Sequence, residues 1–472
     1  QDIVVYQDEA NPLRYYGIQV SQDKKFIFLT KSTGTDGFET WVCKSNDFNR
    51  NVFKPITKGF SSKLSIIDND GDNGFFALSD VGTPNYQLVK LIPADRDSFQ
   101  SKVIVPEMKN ALLDQVLKIK DQFILTYLEN AQNKIKVCDL SGQNMRELEL
   151  PGIGTVSAMK ADENGEFFQI SYTSFTQPTA ILVFHRAKFG MIEEYYPAFN
   201  FSTEVEVQQV WYPSKDGTKV SMFLIHKKGL KKTGNNPTFL YGYGGFNISL
   251  TPSFSTNYLW LIEQGGIVAI ANLRGGGEYG ENWHQAGMKM KKQNVFNDFI
   301  AAAEYLISEK VTSKDFLAIA GGSNGGLLVG ACLTQRPDLF KVAFPAVGVL
   351  DMLRYQKFTV GWGWVPEYGS SEESKEMFEY LVRYSPLHAL KPKTNYPSTM
   401  VTTGDHDDRV VPAHSFKFAA RLQECQAGPA PTLIRIDVNA GHGAGKPLAK
   451  VLDENADKWA FMFWNMGIKT MK

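Results

Sequence analysis

Gly321-Gly322-Ser323-Asn324-Gly325 places a serine between glycines in the spacing G-x-S-x-G. An apolar run, "DFLAIA", precedes it, and a small-residue segment of helical character, "GGLLVGA", follows. A nucleophilic serine needs that context. The chain must reverse from strand to helix so sharply that the serine is strained and its neighbours have no room for Cβ atoms. The same turn aims the Asn324 N–H and a helix N-terminus at the oxygen that turns negative when a carbonyl is attacked. The chemistry implied is acyl transfer through Ser323, set against the plainer reading of a glycine-rich packing turn.

A serine hydroxyl needs a general base, and the base needs a carboxylate to orient it. Downstream of Ser323 the histidines are His388, His406, His414 and His442. His388, in "YSPLHAL", follows no strand. His406 and His414 share the loop and following helix of the strand that must supply the acid. His442 follows the last apolar run and has small neighbours in "NAGHGAG", so its ring can swing over Ser323. It is the best base. The acid must come from "GDHDDRVVP", which offers Asp405, Asp407 and Asp408, and loop composition does not choose among them.

The His442 loop also has the outline of a phosphate-binding loop, since Gly445-Lys446 sits between a strand-like run and a helix. Ala440 stands where that motif has its first glycine, and Pro447 where it has the magnesium-binding hydroxyl. The glycines are better read as an uncrowded mount for His442, with Lys446 a loop or surface charge. No nucleotide, metal or other cofactor is expected. Cys43, Cys138, Cys332 and Cys425 lie far apart and form no C-x-x-C pair, which argues against a zinc site or a disulfide framework. "DNDGDNG" (Asp68 to Gly74) lacks the glycine and glutamate positions of a calcium loop and reads as a hairpin turn.

These residues need a scaffold, and the 472-residue chain has two halves of different grammar. Residues 1–200 are short aromatic and β-branched runs separated by polar turns, including "KKFIFLT", "NGFFALS", "DQFILTYL" and "GEFFQISY". Each is followed by a second run, and the markers Trp41, Tyr86, Ile135 and Ile181 recur at intervals of 45, 49 and 46 residues. That period predicts about four propeller blades, with a β-sandwich as runner-up. Residues 201–472 alternate buried strands with amphipathic helices. In "QNVFNDFIAAAEYLI" one face carries Phe296, Phe299, Ile300, Ala303 and Ile307. Strand–helix alternation predicts a mostly parallel, doubly wound sheet with ligands at the carboxyl ends of its strands.

Lys plus Arg and Asp plus Glu balance at 50 each, so no basic field favours nucleic acid or an anionic membrane. No apolar run reaches the roughly 18 residues of a membrane span. No signal peptide is visible at "QDIVVYQDEA". The expectation is a soluble protein, with cytoplasm and periplasm not distinguished.

"LYGYGGFNIS", "NLRGGGEYGENWH", "GGSNGGLL", "QRPDLF", "YSPLH", "DHDDRVVP" and "AGHGAGKP" occur in this order. The chain thereby resembles the prolyl oligopeptidase family, strongly over residues 205–468 and at the level of strand pattern over residues 1–204. The resemblance implies a multidomain fold, a β-propeller with an α/β-hydrolase domain, and cleavage of short peptides after proline. It implies Ser323 as nucleophile, Asp407 as orienting acid and His442 as base. The Tyr243 hydroxyl and the Asn324 amide are the implied oxyanion donors. Trp364 is implied to stack on the substrate proline ring, with Phe246, Val349, Tyr368 and Val410 lining the pocket. Arg409 is implied to bind the carbonyl of the residue before proline.

The family pattern has a helical segment before seven blades, whereas this chain opens in strand country with room for about four. The expectation is an incomplete propeller whose missing blades come from a complementary chain or fragment. Two rival readings stand beside the peptidase. A basic-residue oligopeptidase would need acidic pocket residues, and only Glu367 lies near Trp364 in sequence. A scaffold form, truncated or dependent on a partner, would bind through the propeller with the hydrolase site inactive.

Overall fold

Phe75 and Phe76 are adjacent in sequence and join different cores, because successive side chains of a strand point to opposite faces. The computed structural model describes residues 4, 6–50, 53–71, 73–95, 98–188, 190–198 and 204–469. Four antiparallel sheets of four strands follow one another along the N-terminal half. The first contains Tyr15–Val20, Phe26–Ser32, Phe38–Lys44 and Lys54–Pro55, and the second Leu64–Asn69, Phe75–Ser79, Gln87–Asp95 and Ser98–Val105. The third contains Leu112–Ile119, Gln122–Glu129, Gln132–Asp139 and Arg146–Leu148, and the fourth Thr155–Ala161, Phe167–Thr173, Ala180–His185 and Met191–Tyr195.

Each sheet buries its faces against its neighbours in sequence. Phe28 and Val42 of the first meet Ile66, Phe75 and Val89 of the second. Phe76 and Leu88 of the second meet Phe123, Leu125 and Tyr127 of the third. Ile124 and Ile135 of the third meet Phe168, Ile170 and Leu182 of the fourth. Sheets that cannot bury both faces alone have stacked, as the period of the sequence predicts. The turn at Asp68 to Gly74 joins antiparallel strands, and Asp68 is taken up by Lys118 at 3.1 Å; Asp72 lies outside the described residues.

The chain divides into two compact units. One is Gln1–Ala198 with Thr251–Ser253 and Glu278–Asn282, and the other holds the remainder. The expected boundary between residues 200 and 201 falls outside the described residues.

The second unit is built on eight strands: β1 (Val205–Pro213), β2 (Lys219–Lys227), β3 (Thr238–Tyr241), β4 (Ile267–Asn272), β5 (Leu317–Gly322), β6 (Val342–Ala346), β7 (Ser398–Gly404) and β8 (Thr432–Asp437). They lie in the order β1-β2-β4-β3-β5-β6-β7-β8. The pairs β1–β2 and β2–β4 are antiparallel and the rest parallel. The helices used below are α1 (Gln293–Ser308), α2 (Asn324–Gln335), α3 (Ala413–Cys425) and α4 (Leu448–Met466). Helix α1 buries Phe296, Phe299 and Ala303 as its spacing predicts, but Leu306 is its fully buried residue in the last turn and Ile300 and Ile307 are only partly covered. Among the described residues no helix is long and apolar enough to cross a membrane.

Candidate active site

Strands β3, β5, β7 and β8 run parallel, so the segments that follow them all leave from one edge of the sheet. Tyr243, Ser323, Asp407 and His442 sit on those four segments. Ser323 has φ 59° and ψ −116°, outside the regions favoured by L-residues. The turn is held by the Ser323 N–H donating to Ala346 O at 2.9 Å, while Gly326 N and Leu327 N donate to Ser323 O and start α2. A Cβ on Gly321 would lie 2.4 Å from Gly325 O, and one on Gly325 would lie 2.7 Å from Gly242 O. Gly322 has no such neighbour, its nearest heavy atom being 3.9 Å away, so the expected crowding applies to two of the three glycines.

Asp407 is buried and doubly engaged. Its Oδ1 accepts from the N–H groups of Arg409 (3.0 Å) and Val410 (2.9 Å), and its Oδ2 lies 2.7 Å from His442 Nδ1. The first two bonds are a local Asx-type turn that fixes the carboxylate before the histidine arrives. Asp405 is bound instead to the exposed His406 ring at 2.7 Å and to Ala440 N at 3.2 Å, and Asp408 is exposed. Among the described residues no hydrogen bond joins Ser323 to His442, so the structure pairs Asp407 with His442 but does not bond His442 to Ser323.

His388 and His414 are engaged elsewhere. His388 Nδ1 lies 2.8 Å from Ser385 Oγ, and His414 Nδ1 accepts from Asp351 N at 3.0 Å. Burial pushes His414 down to about 4, with Asp351 and Asp407 pulling upward and Lys417 opposing them. In the unfolded chain the same imidazole titrates near 6.5. Between these values the unfolded chain binds a proton that the folded chain refuses, so stability falls as pH falls through that window. The expected loss is about 3 kcal/mol. Urea unfolding at about pH 7 and about pH 4 should show it, and His414→Asn, which keeps an acceptor for Asp351 N, should shrink the difference.

Lys446 is not a solvated loop charge. Its ammonium is largely buried, paired with Asp437 at the end of β8 and with Glu454 of α4 at 2.5 Å. Those pairs pin the return of the His442 loop, while Gly443 (φ 123°) and Gly445 (φ 73°) supply its bends.

Tyr243 is half-buried, and its phenol is pushed up to about 12, chiefly by burial, so it stays a donor in neutral and mildly alkaline water. The Arg409 charge and the Ser323 hydroxyl oppose that rise. Asn324 is buried, and its Nδ2 donates to Tyr243 O at 2.6 Å, tying the segment after β3 to the start of α2.

The remaining expected residues fall into two layers. Trp364 is half-buried and stacks on Tyr355 with centroids 6.3 Å apart and planes 12° apart. Phe246 is half-buried, meets Tyr368 edge-on at 5.4 Å and adopts φ 58°, a strained conformation for an aromatic residue. Arg409 is exposed. Tyr368, Val349 and Val410 are fully buried members of the core of this unit.

Three more residues belong to this region, and the sequence assigns none of them the place it takes. Glu367 is fully buried, accepts from Phe246 N at 2.8 Å and lies 2.9 Å from His284 Nε2. Burial raises Glu367, but the His284 bond and the Lys292 charge outweigh it and leave the carboxyl low. Lys292 is buried beside the Tyr243 turn. Among the described residues no group of His, Cys, Asp and Glu is arranged to hold a metal ion.

The family model of the prolyl oligopeptidase family matches residues 252–469, and that of its N-terminal beta-propeller domain matches residues 1–188. The prolyl endopeptidase of Elizabethkingia miricola is 48% identical over 475 residues, covering all of this chain and 66% of that relative. The chain therefore spans 66% of the length of the curated relative it matches. A structure from a structural and mechanistic analysis of two prolyl endopeptidases is 39% identical with a TM-score of 0.93, covering 99% of this chain and 68% of that one. Prolyl oligopeptidase B from Galerina marginata, bound to a 35mer hydrolysis and macrocyclization substrate, is 32% identical with a TM-score of 0.92, covering 100% of this chain and 68% of that one. The four N-terminal sheets are thus propeller blades, and the chain belongs to the prolyl oligopeptidase family.

Proposed function

We propose that the chain is a serine oligopeptidase that cleaves short peptides on the carboxyl side of proline, with residues 201–472 as its catalytic domain. The observation that carries this reading is the Asp407–His442 bond of 2.7 Å on the same sheet edge as the strained Ser323 turn. Ser323 Oγ attacks the carbonyl carbon of the proline itself as its proton passes to His442 Nε2. Asp407 holds the Nδ1 proton and stabilises the imidazolium that forms. The carbonyl π pair moves to oxygen, where the Tyr243 hydroxyl and the Asn324 N–H donate to it. Collapse expels the amine, which takes the proton from His442, and leaves an acyl ester on Ser323. Water then repeats the sequence and releases the acid. Trp364 offers a flat face to the proline ring, whose nitrogen brings no N–H that must be satisfied. Arg409 donates to the preceding carbonyl with a charge-assisted bond.

Glu367 does not favour a basic-residue specificity, because its oxygens serve Phe246 N and His284 in the interior. The apolar residues exposed on the first and fourth sheets, Ile18 and Val20 on one and Met191 and Ile192 on the other, are where a complementary chain or fragment would add blades. Hydrolysis of Gly-Pro and Arg anilides by the whole chain, with fluorophosphonate labelling of Ser323, tests the reading. The expected result is labelling and a preference for proline of at least about 100-fold. Preference for arginine, or an unlabelled Ser323, would refute it.

A further inference from the structure

Lys292 immediately precedes α1, and it is only 1% exposed, among the most buried large side chains of the molecule. An ammonium in such a place costs several kcal/mol unless its donors are used. Lys292 Nζ donates to Gly244 O at 2.8 Å and to Asn324 Oδ1 at 3.0 Å, and lies 5.3 Å from the centre of the Tyr368 ring. Glu367 attracts it from the short helix Val365–Tyr368. Burial still holds its pKa down to about 8.

The two oxygens it grips are not arbitrary. Gly244 follows Tyr243, whose hydroxyl is one oxyanion donor, and Asn324 carries the other donor on its backbone. The Asn324 amide then closes the circuit to Tyr243 O at 2.6 Å. Tyr368 donates a second bond to Asn324 Oδ1 at 2.9 Å. A closed ring of hydrogen bonds therefore runs from Lys292 through Gly244, Tyr243 and Asn324 and back. The turn it braces includes Gly244 (φ 63°) and the strained Phe246 and Asn247, each at φ 58°. Such a turn keeps its shape only when its surroundings over-determine it.

We propose that Lys292 is a positioning residue for acyl transfer, setting the separation of the two oxyanion donors through its simultaneous bonds to Gly244 O and Asn324 Oδ1. This deepens the hydrolase reading and rests on it. Lys292 touches no substrate atom, and it acts only where negative charge develops. Its loss should therefore lower kcat and leave KM nearly unchanged.

The test measures steady-state hydrolysis of a Gly-Pro anilide and the rate of Ser323 phosphonylation by a fluorophosphonate, in wild type, Lys292→Met and Tyr368→Phe. Lys292→Met should lower kcat and the phosphonylation rate by about 10- to 100-fold, with KM within about threefold. Tyr368→Phe removes the second donor to the same oxygen without opening a cavity, and should lower both rates by about 3- to 10-fold. If Lys292→Met does not fold, Tyr368→Phe decides. Both variants within about twofold of wild type, or a rise in KM with kcat unchanged, would overturn the positioning role. A wild type that is phosphonylated but does not cleave after proline would refute the proline reading alone, because the phosphonylation rates still test Lys292. A wild type inert to the fluorophosphonate would overturn both.

Discussion

Ser323→Ala is expected to reduce hydrolysis of a Gly-Pro anilide by about 10⁴- to 10⁶-fold, with the fold unchanged. The chemical part is plain, since alanine removes the only atom that can form the acyl ester. The folding part follows from the backbone. Alanine keeps a Cβ at φ 59° and so inherits the strain of serine without adding to it, while the bond from residue 323 N–H to Ala346 O needs no side chain. Stability should change by no more than about 1 kcal/mol. Circular dichroism and a melting curve beside the rate assay check both halves. Residual activity within about tenfold of wild type would remove Ser323 from the reaction.

Asp407→Asn should be nearly as damaging, lowering kcat by about 10⁴-fold. Asparagine keeps an oxygen for Arg409 N and Val410 N, so the turn survives. Its other atom becomes an NH₂ facing His442 Nδ1, where Asp407 now accepts at 2.7 Å. A donor there forces Nδ1 to accept and moves the ring proton to Nε2. Nε2, which takes the Ser323 proton in the proposed mechanism, is then already protonated. KM should be little changed, because no binding contact is lost. A variant retaining most of its kcat would return Asp405 and Asp408 to contention, and Asp405→Asn and Asp408→Asn would then have to be compared.

The sequence is most informative where burial is two-sided or backbone geometry is extreme. The middle strands of the second and third sheets alternate aromatic and branched residues because both faces are packed, and all eight quoted or paired runs form strands. The short outer strands, Lys54–Pro55 and Arg146–Leu148, carry too few apolar residues to announce themselves. The antiparallel strand β1 is similarly quiet, since most of "VEVQQVWYP" is only half-covered. The turn around Ser323 was legible because its glycines have a steric cause. The acid was not, because three aspartates in one loop differ only in which backbone amides they reach. Lys292 follows Lys289 and Lys291, and a run of three lysines reads as a solvated surface. Only the approach of Gly244 and Asn324, from distant parts of the chain, gives it a different role. Lys446 reads as a loop charge because the fold of its loop, not its sequence, brings Asp437 and Glu454 to it.

The φ of 59° at Ser323 has a consequence for how this chain can change over time. At that position the backbone alone prefers glycine, the residue for which a positive φ carries no penalty. Replacement by glycine would relax the turn and delete the hydroxyl in a single substitution. Thermodynamic drift and chemical use therefore pull residue 323 in opposite directions, and a lineage released from hydrolysis would lose its nucleophile downhill.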